Sequence, residues 1–106
     1  SLCYQIPALV MDGTTIVVAL ASLFMQQRVR SDVAMTGEIS LRGRILPVGG
    51  IKEKVLAASR AKLKHVILPE GNKKDWIEVP AEVRQKMKAR FVQRISELIP
   101  AALRKR

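Results

Sequence analysis

Residues 31–70 read SDVAMTGEISLRGRILPVGGIKEKVLAASRAKLKHVILPE, and the order of signals in this stretch decides the fold. Val33 to Thr36 is a short apolar run that stops at Gly37, which reads as a buried strand ending in a turn. Ile39 to Leu41 and Arg44 to Val48 flank Arg42-Gly43, the pattern of a hairpin. Gly49-Gly50 then opens a helix expected from Ile51 to Lys62. His65 to Leu68 is a second apolar strand, closed by Pro69 and Gly71. Strand, hairpin, helix and strand in this order predict an α/β fold of short strands alternating with helices.

Working outward toward the C-terminus, Lys73 to Ile77 has room for one helical turn. Pro80 suits a helix start, so Ala81 to Met87 is expected to be helical. Arg90 to Val92 reads as a short strand. Ile95, Leu98, Ile99 and Leu103 recur at helical spacing, with Pro100 expected to bend or end that helix. Toward the N-terminus, Thr14 to Gln27 carries mixed signals. Thr15 to Val18 is β-branched and favours a strand, whereas Ala19 to Gln27 favours a helix. Asp12 to Thr15 supplies capping residues, and a helix is the expectation.

Composition narrows the function classes. The hydrophobic share of 48% supports a core, and with Tyr4, Phe24, Trp76 and Phe91 as the aromatics that core must be aliphatic. The chain has 106 residues, one small domain or a piece of a larger one. The net charge is +10, which draws polyanions in a salt-dependent way and makes non-specific DNA a possible partner. The charges are spread over many elements, however, as on solvated helix faces. The interleaved aromatics of a single-strand binder are absent from the sequence. Cys3 is the single cysteine, so no disulfide forms within the chain, which fits a reducing compartment. The longest apolar run, Ile16 to Met25, is too short to span a bilayer. No basic segment precedes it in the manner of a signal peptide, and the cytoplasm is expected. No metal-ligand cluster is visible. His65 reads as structural or surface, and a Cys3–His65 nucleophile pair has no local signature.

Lys54 is the leading candidate for chemistry. At about 100° per residue from Ile51 it falls near 300°, beside Ala57, Ala61 and Ala58 at about 240°, 280° and 340°. An ammonium on such a face is poorly solvated, which favours the neutral amine. A neutral lysine can take a proton from a hydroxyl nucleophile. The competing reading, stronger on spacing alone, is a stem that covers alanines while its head reaches water.

The run from about Ala19 to the C-terminus, and above all residues 31–70, closely resembles the second half of the proteolytic domain of Lon. Lon is the ATP-dependent protease family that cuts with a serine–lysine dyad. The resemblance implies the C-terminal half of a Lon proteolytic-domain-like fold over residues 19–106. The strand-rich first half of that domain has no counterpart here. It implies that Lys54, following Gly49-Gly50, is the dyad lysine, and that Thr36 of Met35-Thr36-Gly37-Glu38 holds it in position. Unfolded proteins are the implied substrates, and a hexameric ring and a separate AAA+ ATPase domain are the implied partners. ATP would be used by that ATPase domain, with no cofactor in this segment.

The family's nucleophile lies in a segment like Asp-Gly-Pro-Ser-Ala-Gly. Without gaps, Ala19-Leu20-Ala21-Ser22 sets the register and Met11 falls at the serine. A thioether cannot attack a carbonyl, so the site would be inactive. The alternative aligns Asp12-Gly13, deletes four residues and puts Thr15 there. That deletion moves the hydroxyl about 6 Å along a helix, beyond the roughly 3 Å reach that dyad chemistry needs. The ungapped register, which also keeps Gly13 and Thr15 as matches, is preferred. Ser22 is two turns away and is no substitute.

Residues 1–18, SLCYQIPALVMDGTTIVV, resemble instead the stretch after the phosphate-binding lysine of RecQ-type helicases. The P-loop itself is not in the chain, so no nucleotide site can be assigned. This segment is either helicase-like or a junction. The expected function is that of a Lon-type protease segment without turnover. A non-catalytic Lon-like assembly module and a basic nucleic-acid-binding module are the alternatives.

Overall fold

A computed structural model of the chain describes residues 30–103. The elements run β1 (Val33–Met35), β2 (Glu38–Ile39), β3 (Ile45–Leu46), α1 (Ile51–Arg60), β4 (His65–Pro69), a 3-10 turn (Glu70–Asn72), α2 (Lys73–Ile77), α3 (Ala81–Lys86), β5 (Lys88–Val92) and α4 (Ile95–Ala102). This is a mixed α/β architecture, consistent with part of a Lon-like proteolytic domain.

β1, β4 and β5 form one parallel sheet in the order β1-β4-β5. Val33 faces His65, which faces Lys88; Met35 faces Ile67, which faces Arg90. Parallel neighbours cannot be joined by a tight turn and need a crossover, which α1 supplies before β4 and α2 and α3 supply before β5. The central strand shows the consequence: Val66, Ile67, Leu68 and Pro69 are all buried. A strand covered on both faces carries a continuous apolar run rather than an alternating one. β5 alternates instead, and its exposed Lys88 and Arg90 discourage pairing with another chain.

The core joins the sheet to Ile51, Val55 and Ala58 of α1 and to Leu98, Ala101 and Ala102 of α4. The spacing of the α1 residues is that of one helical stripe. As composition requires, the described core is aliphatic, with Trp76 and Phe91 only partly buried at its margin.

Several boundaries differ from the sequence reading, each for a local reason. The hairpin is shorter than expected: Leu41 sits fully exposed in the turn, and the ladder is Glu38–Leu46 and Ile39–Ile45. α1 stops at Arg60, not Lys62. Lys62 takes φ 64, its N–H donates to Ser59 and the Leu63 N–H reaches back to Ala58. These two bonds are a Schellman closure, with a lysine where glycine is usual. α3 ends at Lys86, because the buried Met87 is extended and leads into β5. β5 starts at Lys88, not Arg90, because all five of its residues pair with β4. Pro100 does not end α4: the helix continues to Ala102, and the Leu103 N–H still bonds Ile99. Burial of Leu98, Ala101, Ala102 and Leu103 offsets the N–H that proline lacks. The expected helix of Thr14 to Gln27, its capping residues Asp12 to Thr15, and the 1–18 segment lie outside the described residues.

Candidate functional site

Two elements converge at the C-terminal end of β1. Thr36 follows the strand directly, and its N–H extends the ladder by donating to Ile67 at 3.2 Å. The residue is 2% exposed, so its hydroxyl is fixed inside the protein. Opposite it, Gly50 starts α1 with φ 72 and ψ 23, a left-handed conformation that glycine adopts without steric cost. The Lys54 N–H bonds the Gly50 carbonyl at 3.1 Å, so Lys54 stands one turn into the helix. From there its Nζ donates to Thr36 Oγ1 at 3.1 Å.

The structure thus brings Lys54 and Thr36 together across 18 positions of sequence. Lys54 is half-buried. The alanine face is narrower than the helical wheel suggests: Ala58 is buried and Ala57 half-buried, but Ala61 is exposed as the residue that caps the helix. The wheel assumed a helix reaching Lys62, and the Schellman closure removes that last turn. Chemically, a lysine amine that donates one N–H to a fixed hydroxyl has a defined direction. Its nitrogen can serve as a proton acceptor for a group placed beside it.

Asn72 is a second buried polar residue, and sequence reasoning missed it. Asn72, 3% exposed, accepts the Val48 N–H at 3.1 Å and donates Nδ2 to the Val48 carbonyl at 2.9 Å. The same Nδ2 also donates to Asp75 Oδ2 at 2.7 Å. The available sequence signal was an asparagine just before α2, which reads as a helix N-cap. The side chain makes no cap bond to that helix and turns to Val48 instead. Thr36 and Asn72 are the buried polar residues among those described.

His65 is structural, as expected. Its Nε2 lies 3.4 Å from Asp32 Oδ2, and Arg30 forms a two-pronged pair with the same carboxylate at 3.1 and 3.2 Å. Burial pushes the Asp32 carboxyl up. The Arg30 hydrogen bond and charge, with a smaller contribution from His65, outweigh it and hold the group below its ordinary value. Among the described residues no cluster of His, Cys, Asp or Glu could hold a metal ion, and no helix is long and apolar enough to cross a membrane. Arg42 and Arg44 at the hairpin turn, Lys62 and Lys64 after α1, and Lys73 and Lys74 on α2 are exposed as three separate pairs. Cys3, Met11, Thr15 and Ser22 lie outside the described residues.

These features define a parallel α/β unit with a lysine–threonine pair at the end of its first described strand. The chain belongs to the family of the Lon protease (S16) C-terminal proteolytic domain, whose pattern it matches over residues 10–105. It is 57% identical over 91 residues to Lon protease 4 of Sorangium cellulosum, covering 86% of this chain and 11% of that protein. It is 58% identical over 90 residues to the peroxisomal Lon protease homolog 2 of Rattus norvegicus, covering 85% of this chain and 11% of that protein. Lon protease of Anaeromyxobacter dehalogenans is 55% identical over 91 residues, again 86% of this chain and 11% of that protein. The chain therefore spans about a tenth of the length of these relatives.

Proposed function

We propose that this chain supplies the general base of a Lon-type serine–lysine peptidase site. Lys54 is the base and Thr36 is the residue that aims it. The observation that carries this reading is the 3.1 Å bond from Lys54 Nζ to Thr36 Oγ1. In such a site the neutral amine takes the proton of a hydroxyl as that oxygen attacks the substrate carbonyl, and an acyl intermediate forms that water then releases. Thr36 occupies one N–H of the amine and leaves its lone pair to face the nucleophile.

The nucleophile position in this chain is Met11, so no peptide turnover is expected of the chain as it stands. The full reaction of the parent enzymes would be ATP-dependent cleavage of unfolded proteins by a ring of subunits. The ATP would be hydrolysed by an AAA+ ATPase domain. We place the chain in the cytoplasm on its single cysteine. Segment 1–18 is helicase-like or a junction, and the family match overlaps it from residue 10.

The test is incubation of the full chain with casein, a fluorogenic peptide and a serine-directed covalent reagent. Neither turnover nor labelling is expected. Met11→Ser alone is expected to restore little, because losing even one donor that stabilises the developing oxyanion costs about 100- to 1000-fold. Turnover by the unchanged chain that disappears in Lys54→Ala would overturn the inactive reading, and its loss on Thr15→Ala would assign the nucleophile to Thr15.

A further inference from the structure

Asn72 holds both polar backbone atoms of a residue that lies 24 positions away, at 3.1 and 2.9 Å. Bonding the N–H and the C=O of one residue together is what an antiparallel strand partner does. Here a single side-chain amide does it. Asp75 fixes which way that amide faces, since a carboxylate only accepts and so selects the NH2 end. The adjacent residue closes the same contact: a Cβ on Gly71 would sit 3.1 Å from the Pro47 ring. The 71–72 turn and the 47–48 segment therefore lie in direct contact.

The glycine pair after Val48 makes this contact consequential. Gly49 and Gly50 lead into α1, and glycine is the most conformationally free of residues. A Cβ at Gly49 would meet nothing within 4 Å, and the N-cap of α1 is Gly50, which has no side chain to cap the helix. Ile51, Val55 and Ala58 anchor the body of α1 in the core, so where Val48 is held bears on the first turn of the helix, where Lys54 stands. Lys54 is one turn above it and reaches Thr36 at 3.1 Å, close to the limit for a hydrogen bond. A displacement of about 1 Å at a catalytic group is enough to lower a rate by roughly a hundredfold.

We propose that Asn72 is a positioning residue for Lys54: by clamping Val48 it sets the Gly49-Gly50 turn and so the place of the lysine amine. The proposal rests on the reading of Lys54 as general base, but its geometry is measurable without turnover.

The experiment is competitive acylation of the full chain with a small amine-directed reagent, read by mass spectrometry as the labelling rate of Lys54 relative to Lys52. Lys52 lies on the same helix and is exposed, so it is an internal standard. Hydrogen exchange at the Val48 amide is followed in parallel. The Lys54-to-Lys52 ratio of the unchanged chain is the reference. In Asn72→Ser, Val48 exchange should accelerate and the Lys54-to-Lys52 ratio should rise roughly three- to tenfold, the range for one lost hydrogen bond. Thr36→Val sets the upper end of that rise. A merely structural loss would raise every lysine together and leave the ratio where it was.

Faster Val48 exchange with an unchanged Lys54 ratio in folded Asn72→Ser overturns the proposal and leaves the reading of Lys54 intact. If Thr36→Val leaves the Lys54 ratio where it is in the unchanged chain, the aiming bond fails and the general-base reading falls first. Should Asn72→Ser not fold, Asp75→Ala releases the amide's orientation at a half-buried position. It is expected to move both readouts in the same direction by a smaller factor, and no movement there overturns the clamp.

Discussion

β4 and the segment leading into α1 lie side by side in function and are held by different forces. In β4, Val66 to Pro69 are buried and hydrogen-bonded to strands on both sides. Position there comes from many small apolar contacts and a repeated backbone ladder. At Val48 to Gly50 there is no ladder and little apolar cover: two bonds of Asn72 hold Val48, and Thr36 holds Lys54 one turn into α1. The contrast teaches where a substitution will be felt. Changes in the sheet should cost stability and leave the Lys54 geometry alone. Changes in the polar seam should cost less stability and alter that geometry.

The largest expected effect is at Leu68, which is fully buried in the central strand. Leu68→Ala should lower unfolding free energy by about 2–5 kcal/mol in urea titration. The Lys54-to-Lys52 labelling ratio of the folded fraction should stay unchanged. A changed ratio with normal folding would break the separation between the two regions.

Thr36→Val keeps shape and removes the acceptor. A cost of about 1 kcal/mol is expected, because the half-buried Lys54 amine can turn to water. The labelling ratio should rise, the reverse of the Leu68 pattern. Equal stability losses at both positions would mean that the seam is held as the sheet is.

A smaller effect of opposite sign is expected at Lys62, which sits at φ 64 in the Schellman closure of α1. Lys62→Gly relieves a left-handed lysine and should stabilise by about 0.5–1 kcal/mol, seen as a higher melting temperature. It acts at the far end of α1 and should not touch the Lys54–Thr36 bond.

Asp32 gives the smallest effect and a pH signature. Its folded carboxyl titrates below the ordinary value of 3.8, so its contribution is present above that pH and is lost as pH falls further. The side chain is 44% exposed, so screening limits the gain to about 0.5 kcal/mol. Asp32→Asn should be slightly less stable than the unchanged chain at pH 7 and match it well below pH 3.8. A gap that persists in acid would assign the effect to packing.

Much of the fold could be read without coordinates. Two kinds of local signal suffice: uninterrupted apolar runs such as HVILP for a strand covered on both faces, and Gly49-Gly50 for the start of α1. Lys54 stood out by spacing, but spacing alone favoured a lysine with its head in water. Its partnership with Thr36 came from the family resemblance, since nothing local links a strand end to a helix 18 positions on. Three outcomes needed the tertiary structure. Pro100 stays inside α4 because burial of the following residues outweighs one missing donor. Lys62 ends α1 in a conformation its sequence does not advertise. Asn72, placed like a helix cap, spends its amide on Val48 instead. The reason common to all three is range: propensity and periodicity act over a few residues, whereas packing and hydrogen bonding depend on whatever the fold brings beside each residue.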